Sequence, residues 1–483
     1  MLFSEGTFNL RALSEEKISS FVYNHIRRQT MKKTFVITGA QSHGSPHSFF
    51  WKGILHYAKL KKAEIIILPL IGQDAKQDWD AVHPMFKKYL EYGRRTLNSN
   101  IKIEQFNIRP YQIDPCTGLQ RFAQQTTSVI FASPKQRLVP VAHSHQKYPK
   151  FLITTGCVTR PNYATKDDVS AERRRLGDIA RRDHIFGFVV VEVVDNKMFH
   201  FRHVRANKKG EFVDLGTFYS GNQTRKASLE AMVMGDYHFG QSDPQVIETS
   251  FEMIRALRPK RLVAHDFFDG HSVSHHVDKK PVREKLIQIY DKKLHLLDKE
   301  LRDGREELGK LNEAMKGRPI LLVFSNHHTF LARYLEEGRF SKDMPNFRTA
   351  ADLLAFMAEK DYNDPVKAGY EKYGKLPRNI RFLREDEDYK VRGYQLAQHG
   401  DHNWSRMGYS SMTENEINYG RSITGHNHKA QVLRNTYSVG VCLPRNPFYM
   451  RGYPSAWTHT HALLWSTGTV QLVTIVDGKW RSK

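Results

Sequence analysis

The chain has 483 residues and carries 74 Lys and Arg against 51 Asp and Glu. Hydrophobic residues at 40% and aromatics at 11% suffice for sizeable cores, which excludes a largely disordered chain. No apolar run approaches the about 20 residues of a membrane span, and residues 1–17 lack the basic start and apolar block of a secretory signal. Cys116, Cys157 and Cys442 lie too far apart for a metal knuckle or a disulfide framework. The expectation is a soluble cytoplasmic protein of two to three domains, or one large catalytic domain with an appendage. Charge is uneven. Residues 1–225 hold 35 basic and 19 acidic side chains, which is +16 of the total +23. A basic half is an electrostatic footprint for a polyanion, nucleic acid first.

Residues 12–30 read as an amphipathic helix opened by Ser14-Glu15-Glu16. A β-rich run at Lys33 to Thr38, a helical stretch at 47–62 and the apolar strand Ile65-Ile66-Ile67-Leu68 make a βαβ unit. The Gly39 to Gly44 loop between them has phosphate-loop glycine spacing, but Ser45 and Pro46 stand where Lys and Ser/Thr are required. It reads as a turn. Further strands are expected at 128–132, 151–155 and 186–194, the last turning at Asp195-Asn196-Lys197 into a return strand at 198–205. A basic helix runs from Ala171 to Arg182; Arg173, Arg174, Arg175, Arg181 and Arg182 are its candidate phosphate contacts, with a solvated helix face as the alternative. Residues 206–228 are polar and rich in Gly and Lys. They mark the expected boundary between a basic α/β domain at 1–225 and a catalytic domain at 226–483. Within the latter, a long helix at 281–315 carries Leu294, Leu297, Leu301, Leu308, Leu311 and Met315 at heptad-like spacing. That stripe suits either a packed core helix or a self-association arm, which would make a homo-oligomer.

From Ala231 onward, five short apolar strands each run into metal-capable side chains. They end in Asp236 and His238, in His265, Asp266 and Asp269, in Asn326, His327 and His328, in His399, and in His426 and His428. Sites in open α/β sheets form beyond the carboxyl ends of strands, so the five endings are expected to converge. Two divalent ions about 3.5–4 Å apart require a bridging carboxylate, with neutral imidazoles to complete each shell. Asp236, His238 and His428 would hold one ion and Asn326, His399 and His426 the other. Asp266 would bridge them. His327 stands free of the ligand set and is placed to protonate a leaving oxygen. Mn²⁺ suits such a mixed site best, and Mg²⁺, Fe²⁺ and Zn²⁺ are also compatible. The triplets His143-Ser144-His145 and His459-Thr460-His461 lack this strand logic and read as structural.

The order D-x-H, D-x-x-D, N-H, H and G-H-x-H resembles the calcineurin-like metallophosphoesterase superfamily over roughly 231–475, including a β-rich ending at Asn435 to Val441 and 462–476. The resemblance implies an αββα four-layer sandwich with a dinuclear site. Residue by residue it places Asp236, His238, Asp266, Asn326, His399, His426 and His428 on ligand positions and His327 on the catalytic histidine. Two departures stand out: His265 replaces the glycine before Asp266, and Ser325 and His328 replace the usual flanks of the Asn-His pair. Neither flank is normally a ligand, and His328, His271, His275 and His276 read as ordinary surface histidines, with groups that support the metal ligands from outside as the alternative. The superfamily takes monoesters, diesters and nucleic acids, so charge must choose among them. It favours a metal-dependent nuclease acting on DNA, or on RNA, as in the nuclease branch of the family. The pattern is also similar to host-DNA-degrading proteins of T-five-type phages, for which the compartment would be a host cytoplasm. The alternatives are a phosphatase or small-molecule phosphodiesterase, and a non-catalytic nucleic-acid-binding protein.

Overall fold

A computed structural model describes residues 32–72, 79–123, 127–144, 148–163, 170–275, 293–401, 411–447, 450 and 452–482. The helix expected at 12–30 lies outside them, as do His145 and His276. Among the described residues no helix is long and apolar enough to cross a membrane.

The expected βαβ unit is present. Strand Lys33–Gln41 leads through helix Ser48–Lys61 to strand Ala63–Leu70, and the two strands pair in parallel from Thr34↔Ala63 to Gln41↔Leu70. Lys62 ends the helix in a left-handed cap, its N–H bonding back to the Ala58 and Lys59 carbonyls. The hairpin Gly187–Val193 and Phe199–Arg205 adds two antiparallel strands to the same sheet.

Residues 206–228 are not a linker. They fold into a three-stranded meander, Phe212–Asp214, Thr217–Ser220 and Gln223–Lys226. Gly216 and Gly221, at φ +87° and +57°, turn these strands where a side chain would be strained. Two things dock the meander. Phe212 and Tyr219 stack at 5.0 Å beside Tyr57, and buried Asp214 accepts from Arg202 Nε at 2.5 Å and from Tyr57 Oη at 2.8 Å. A polar composition hid this because its few apolar residues divide between two cores, Phe212 and Tyr219 in one and Val213 and Phe218 in the other.

The larger sheets cross the expected domain boundary. One has six strands in the order Ile380–Phe382, Ile320–Leu322, Leu262–Ala264, Leu229–Val233, Thr460–Trp465 and Val470–Thr474. The other has ten. It joins Lys390–Val391, Tyr394–Gln395, Ser422–Thr424, Thr436–Ser438 and Gln431–Leu433 to Arg137–Pro140, Phe151–Thr154, Ser128–Phe131, Ile101–Ile103 and Arg95–Asn98. The seam is Val432↔Leu138 and Leu433↔Arg137, reinforced by Arg137, which donates to the Val432 carbonyl at 2.8 Å. Residues on both sides of 225 therefore share one sheet, and the division at 225 is not a structural one. Sequence periodicity cannot show which distant strands pair.

The six-stranded sheet is buried on both faces, as its unbroken apolar runs require. Met232, Leu262 and Ile320 face a core with Met253 and Ile254 of helix Pro244–Leu257 and Leu301, Leu308 and Leu311 of helix Leu297–Met315. The alternating Ala231, Val233, Val263 and Leu321 face Ile423, Tyr437 and Ile153 of the ten-stranded sheet. Leu297, Leu301, Leu308, Leu311 and Met315 are all buried inside the chain. The stripe from Leu297 to Met315 thus belongs to a core helix and is not an exposed arm; Leu294 precedes the helix, and residues 281–292 of the expected helix lie outside the described residues. Gly304 does not interrupt the stripe; it admits Tyr370, whose Cε1 lies only 2.8 Å from where a Cβ would sit.

Candidate metal centre

Three of the five motif strands, Leu229–Val233, Leu262–Ala264 and Ile320–Leu322, are parallel neighbours in the six-stranded sheet. The other two, Tyr394–Gln395 and Ser422–Thr424, are parallel neighbours in the ten-stranded one. Their carboxyl ends meet. Beyond the strands, the first two loops stay in register: Tyr237 N–H donates to the His265 carbonyl and His238 N–H to that of Asp266, at 2.9 and 2.7 Å. Gly235 lets the Gly440 backbone pass beside this loop, since a Cβ there would lie 2.9 Å from it. His461 Nδ1 accepts from Gly235 N–H at 2.8 Å while Nε2 meets Ser250 Oγ at 2.7 Å. It is structural, as expected, but it holds the residue next to Asp236.

The backbone bends sharply to present these side chains. His238, Asp266, His426 and His428 have φ of +50°, +45°, +70° and +58°. Left-handed backbone is uncommon outside glycine and collects at functional sites, where the surrounding fold holds it in place.

Asp236, His238, Asp266 and His428 offer ligand atoms that all lie within 4.8 Å of one another. His238 Nε2 lies 3.6 Å from Asp266 Oδ2 and 3.1 Å from His428 Nε2, and His428 Nε2 lies 3.3 Å from Asp236 Oδ2. His399 Nε2 approaches the same Asp266 Oδ2 at 3.2 Å, and His426 packs edge-on to His399 at 5.2 Å between ring centres. The arrangement fits a metal on its chemistry. Buried Asp266 Oδ1 and Asn326 Oδ1 have no hydrogen-bond partner, and the Asp236 oxygens make no well-formed hydrogen bond. A methyl group at Gly425 would fall 2.0 Å from Asp236 Oδ1. Unsatisfied buried acceptors are costly, and a cation is what such a group of acceptors accommodates.

The electrostatics fall into a pattern. Burial pushes the Asp236 carboxyl well above the usual range, with His399 pulling it back and Asp266 pushing it further. Burial acts on Asp266 in the same sense, but the imidazoles of His399, His327 and His238 outweigh it and hold this carboxyl well below. His399 is raised to about 9 because Asp266 overcomes its desolvation. Burial keeps His426 and His428 low, the neutral form in which imidazole binds metals.

The expected first set, Asp236, His238 and His428 about Asp266, is brought together as anticipated. His399 and His426 pack against each other, with His399 on Asp266. His327 sits with its ring 4.8 Å from that of His238, its Nδ1 2.5 Å from the Asp269 carbonyl. Four residues matter more than their motifs suggested. Asp269 Oδ1 binds His238 Nδ1 at 2.7 Å; the D-x-x-D spacing was a signal for it. His271 is not a surface group: its Nδ1 lies 3.1 Å from both Asp269 Oδ2 and Glu300 Oε1. Glu300 also accepts from Gly270 N–H and Ser272 N–H, and no local motif announces it. His265, in place of glycine, is fully buried with Nδ1 3.4 Å from His399 Nδ1, and it groups with Asp236 and His399. His328 is buried too, bonded to Ser325, and His275 packs on Phe330.

The basic helix, Ala171–Arg182, is capped by Ser170 and exposes Arg173, Arg175, Arg181 and Arg182, with Arg174 half-buried. Arg182 pairs with Asp183 at 2.9 Å, so it is partly committed within the fold.

No family model, no curated protein and no solved structure matches this chain. What fold and site define together is a mixed α/β protein with a buried Asp/His cluster able to hold a metal ion.

Proposed function

We propose that the protein is a metal-dependent phosphodiesterase, a nuclease of the calcineurin-like metallophosphoesterase type with a four-layer αββα catalytic core and DNA as its substrate. The observation that carries this is the meeting of Asp236, His238, Asp266 and His428 within 4.8 Å, beside His399, at the ends of strands from two sheets. Asp236, His238 and His428 would hold one divalent ion and Asn326, His399 and His426 a second, with Asp266 shared and Mn²⁺ preferred. Two such ions supply Lewis-acid polarisation of a phosphoryl oxygen and lower the pKa of water, which suits in-line displacement. The chain's own residues do the rest. Asp269 fixes the His238 ring through Nδ1, and its carbonyl takes Nδ1 of His327. His327 Nε2 is thereby left to hand a proton to the departing oxygen.

DNA is favoured by charge: a net +23, most of it in residues 1–225, attracts a polyanion. Supercoiled plasmid incubated with Mn²⁺, with and without chelator, tests the proposal. Chelator-sensitive nicking is expected, with binding that weakens steeply as salt rises. Cleavage of a nitrophenyl phosphate ester with plasmid left intact would replace the nuclease by a small-molecule phosphatase or phosphodiesterase. Salt-sensitive DNA binding without any cleavage would leave a nucleic-acid-binding protein.

A further inference from the structure

The basic helix borders a cavity of about 200 Å³ that opens to solvent. The cavity lies beyond the carboxyl end of strand Ala63–Leu70, where Ile71 and Gly72 continue the chain, and helix Ala171–Arg182 closes one side. This is where open α/β sheets take ligands. Its walls are mostly apolar, from Ile71 and Leu176 with the rings of Tyr111 and Tyr163. Both phenols are engaged: Tyr111 Oη accepts from Arg109 at 2.7 Å and Tyr163 Oη meets His184 Nδ1 at 2.8 Å. The rings therefore offer faces and edges, not hydroxyls. Two guanidiniums, Arg109 and Arg173, complete the lining, and among the described residues no carboxylate lines it.

We propose that this cavity binds a nucleoside monophosphate, with the phosphate on Arg109 and Arg173 and the base against Tyr111, Tyr163 and Leu176. Two guanidiniums suit a phosphate, which they bind through paired N–H donors. Aromatic and apolar walls suit a base, which stacks whatever its identity. Inorganic phosphate alone leaves the apolar wall unused. Arg173 is thus set apart from the other arginines of its helix as the one that lines the pocket. The site stands independently of the metal centre, and its ligand is either a free nucleotide or the phosphorylated end of a strand.

Calorimetric titration of the full chain with dAMP in EDTA tests this, since chelation suppresses both hydrolysis and metal coordination. One dAMP per chain is expected, with deoxyadenosine and inorganic phosphate each binding at least about ten-fold more weakly. The double variant Arg109→Gln/Arg173→Gln should lose at least about ten-fold in affinity at unchanged melting temperature, both side chains being exposed. His238→Ala should bind dAMP as the wild type does. A 5′-phosphorylated tetranucleotide that displaces dAMP identifies a strand end as the source; one that does not identifies the free nucleotide. No binding at millimolar dAMP, or unchanged affinity in the arginine double variant, overturns the proposal. Binding lost in His238→Ala but kept in the arginine variant overturns it equally, by moving the nucleotide to the metal cluster.

Discussion

Asp269 Oδ1 lies 2.7 Å from Nδ1 of His238, which turns Nε2 of the same ring toward Asp266 and His428. The carboxylate fixes both tautomer and orientation, as outer partners of metal-bound histidines do. Burial raises the Asp269 carboxyl, but its bonds to His238 and His271 outweigh that and keep it ionised. Asp269→Ala should lower Mn²⁺ affinity by about 10–100-fold, read by titration calorimetry, with the fold retained by circular dichroism. Unchanged affinity would make Asp269 a bystander.

His265 stands to His399 much as Asp269 stands to His238. Its Nδ1 faces His399 Nδ1 at 3.4 Å, while His399 Nε2 faces Asp266. Burial holds His265 at about 3, so it stays neutral and accepts from its partner. His265→Gly, which restores the residue usual in the resembled family, should weaken binding of one Mn²⁺ equivalent by about ten-fold or more and leave the other unchanged. Equal effects on both equivalents, or none, would contradict this.

His327→Ala separates proton transfer from metal binding. On a diester with an alkoxide leaving group, turnover should fall by about 10²-fold or more, the usual size of general acid catalysis. A nitrophenyl ester needs little protonation and should be largely spared. Equal losses on both substrates would remove His327 from this role.

Much of the site was legible because its chemistry is local. Asp236, His238, Asp266, His399 and His428 announced themselves by strand endings and residue type, and they meet as those patterns required. The fold was legible only in pieces. The βαβ unit and the hairpin are short-range and were readable. The pairing of Val432 with Leu138 was not, since nothing local to either strand specifies a partner 294 residues away. Glu300 was hidden for the same reason: it reaches loop 269–272 from a helix that reads only as amphipathic.

Acid should destabilise the fold well before its carboxylates protonate. Burial holds His203 and His184 at about 4, against an ordinary 6.5. His203 Nε2 faces the Thr154 carbonyl at 2.7 Å and His184 Nε2 that of Thr159 at 2.9 Å. Between about pH 6.5 and 4 the unfolded chain binds protons that the native one refuses, so stability falls as pH drops through that window. Each such histidine contributes a slope of up to about 1.4 kcal/mol per pH unit. Urea midpoints should therefore be lower at pH 5 than at pH 7, and His203→Gln should flatten the difference. A midpoint constant from pH 7 to 5 would contradict this.

The central claim is that Asp266 serves two divalent ions at once. Titration of the wild-type chain and of Asp266→Ala with Mn²⁺ tests it most directly, because Asp266 Oδ2 lies 3.6 Å from His238 Nε2 and 3.2 Å from His399 Nε2. The account predicts two equivalents bound by the wild type, and loss of tight binding at both positions in the variant. Two equivalents bound with unchanged affinity by Asp266→Ala, or none by the wild type, would contradict it.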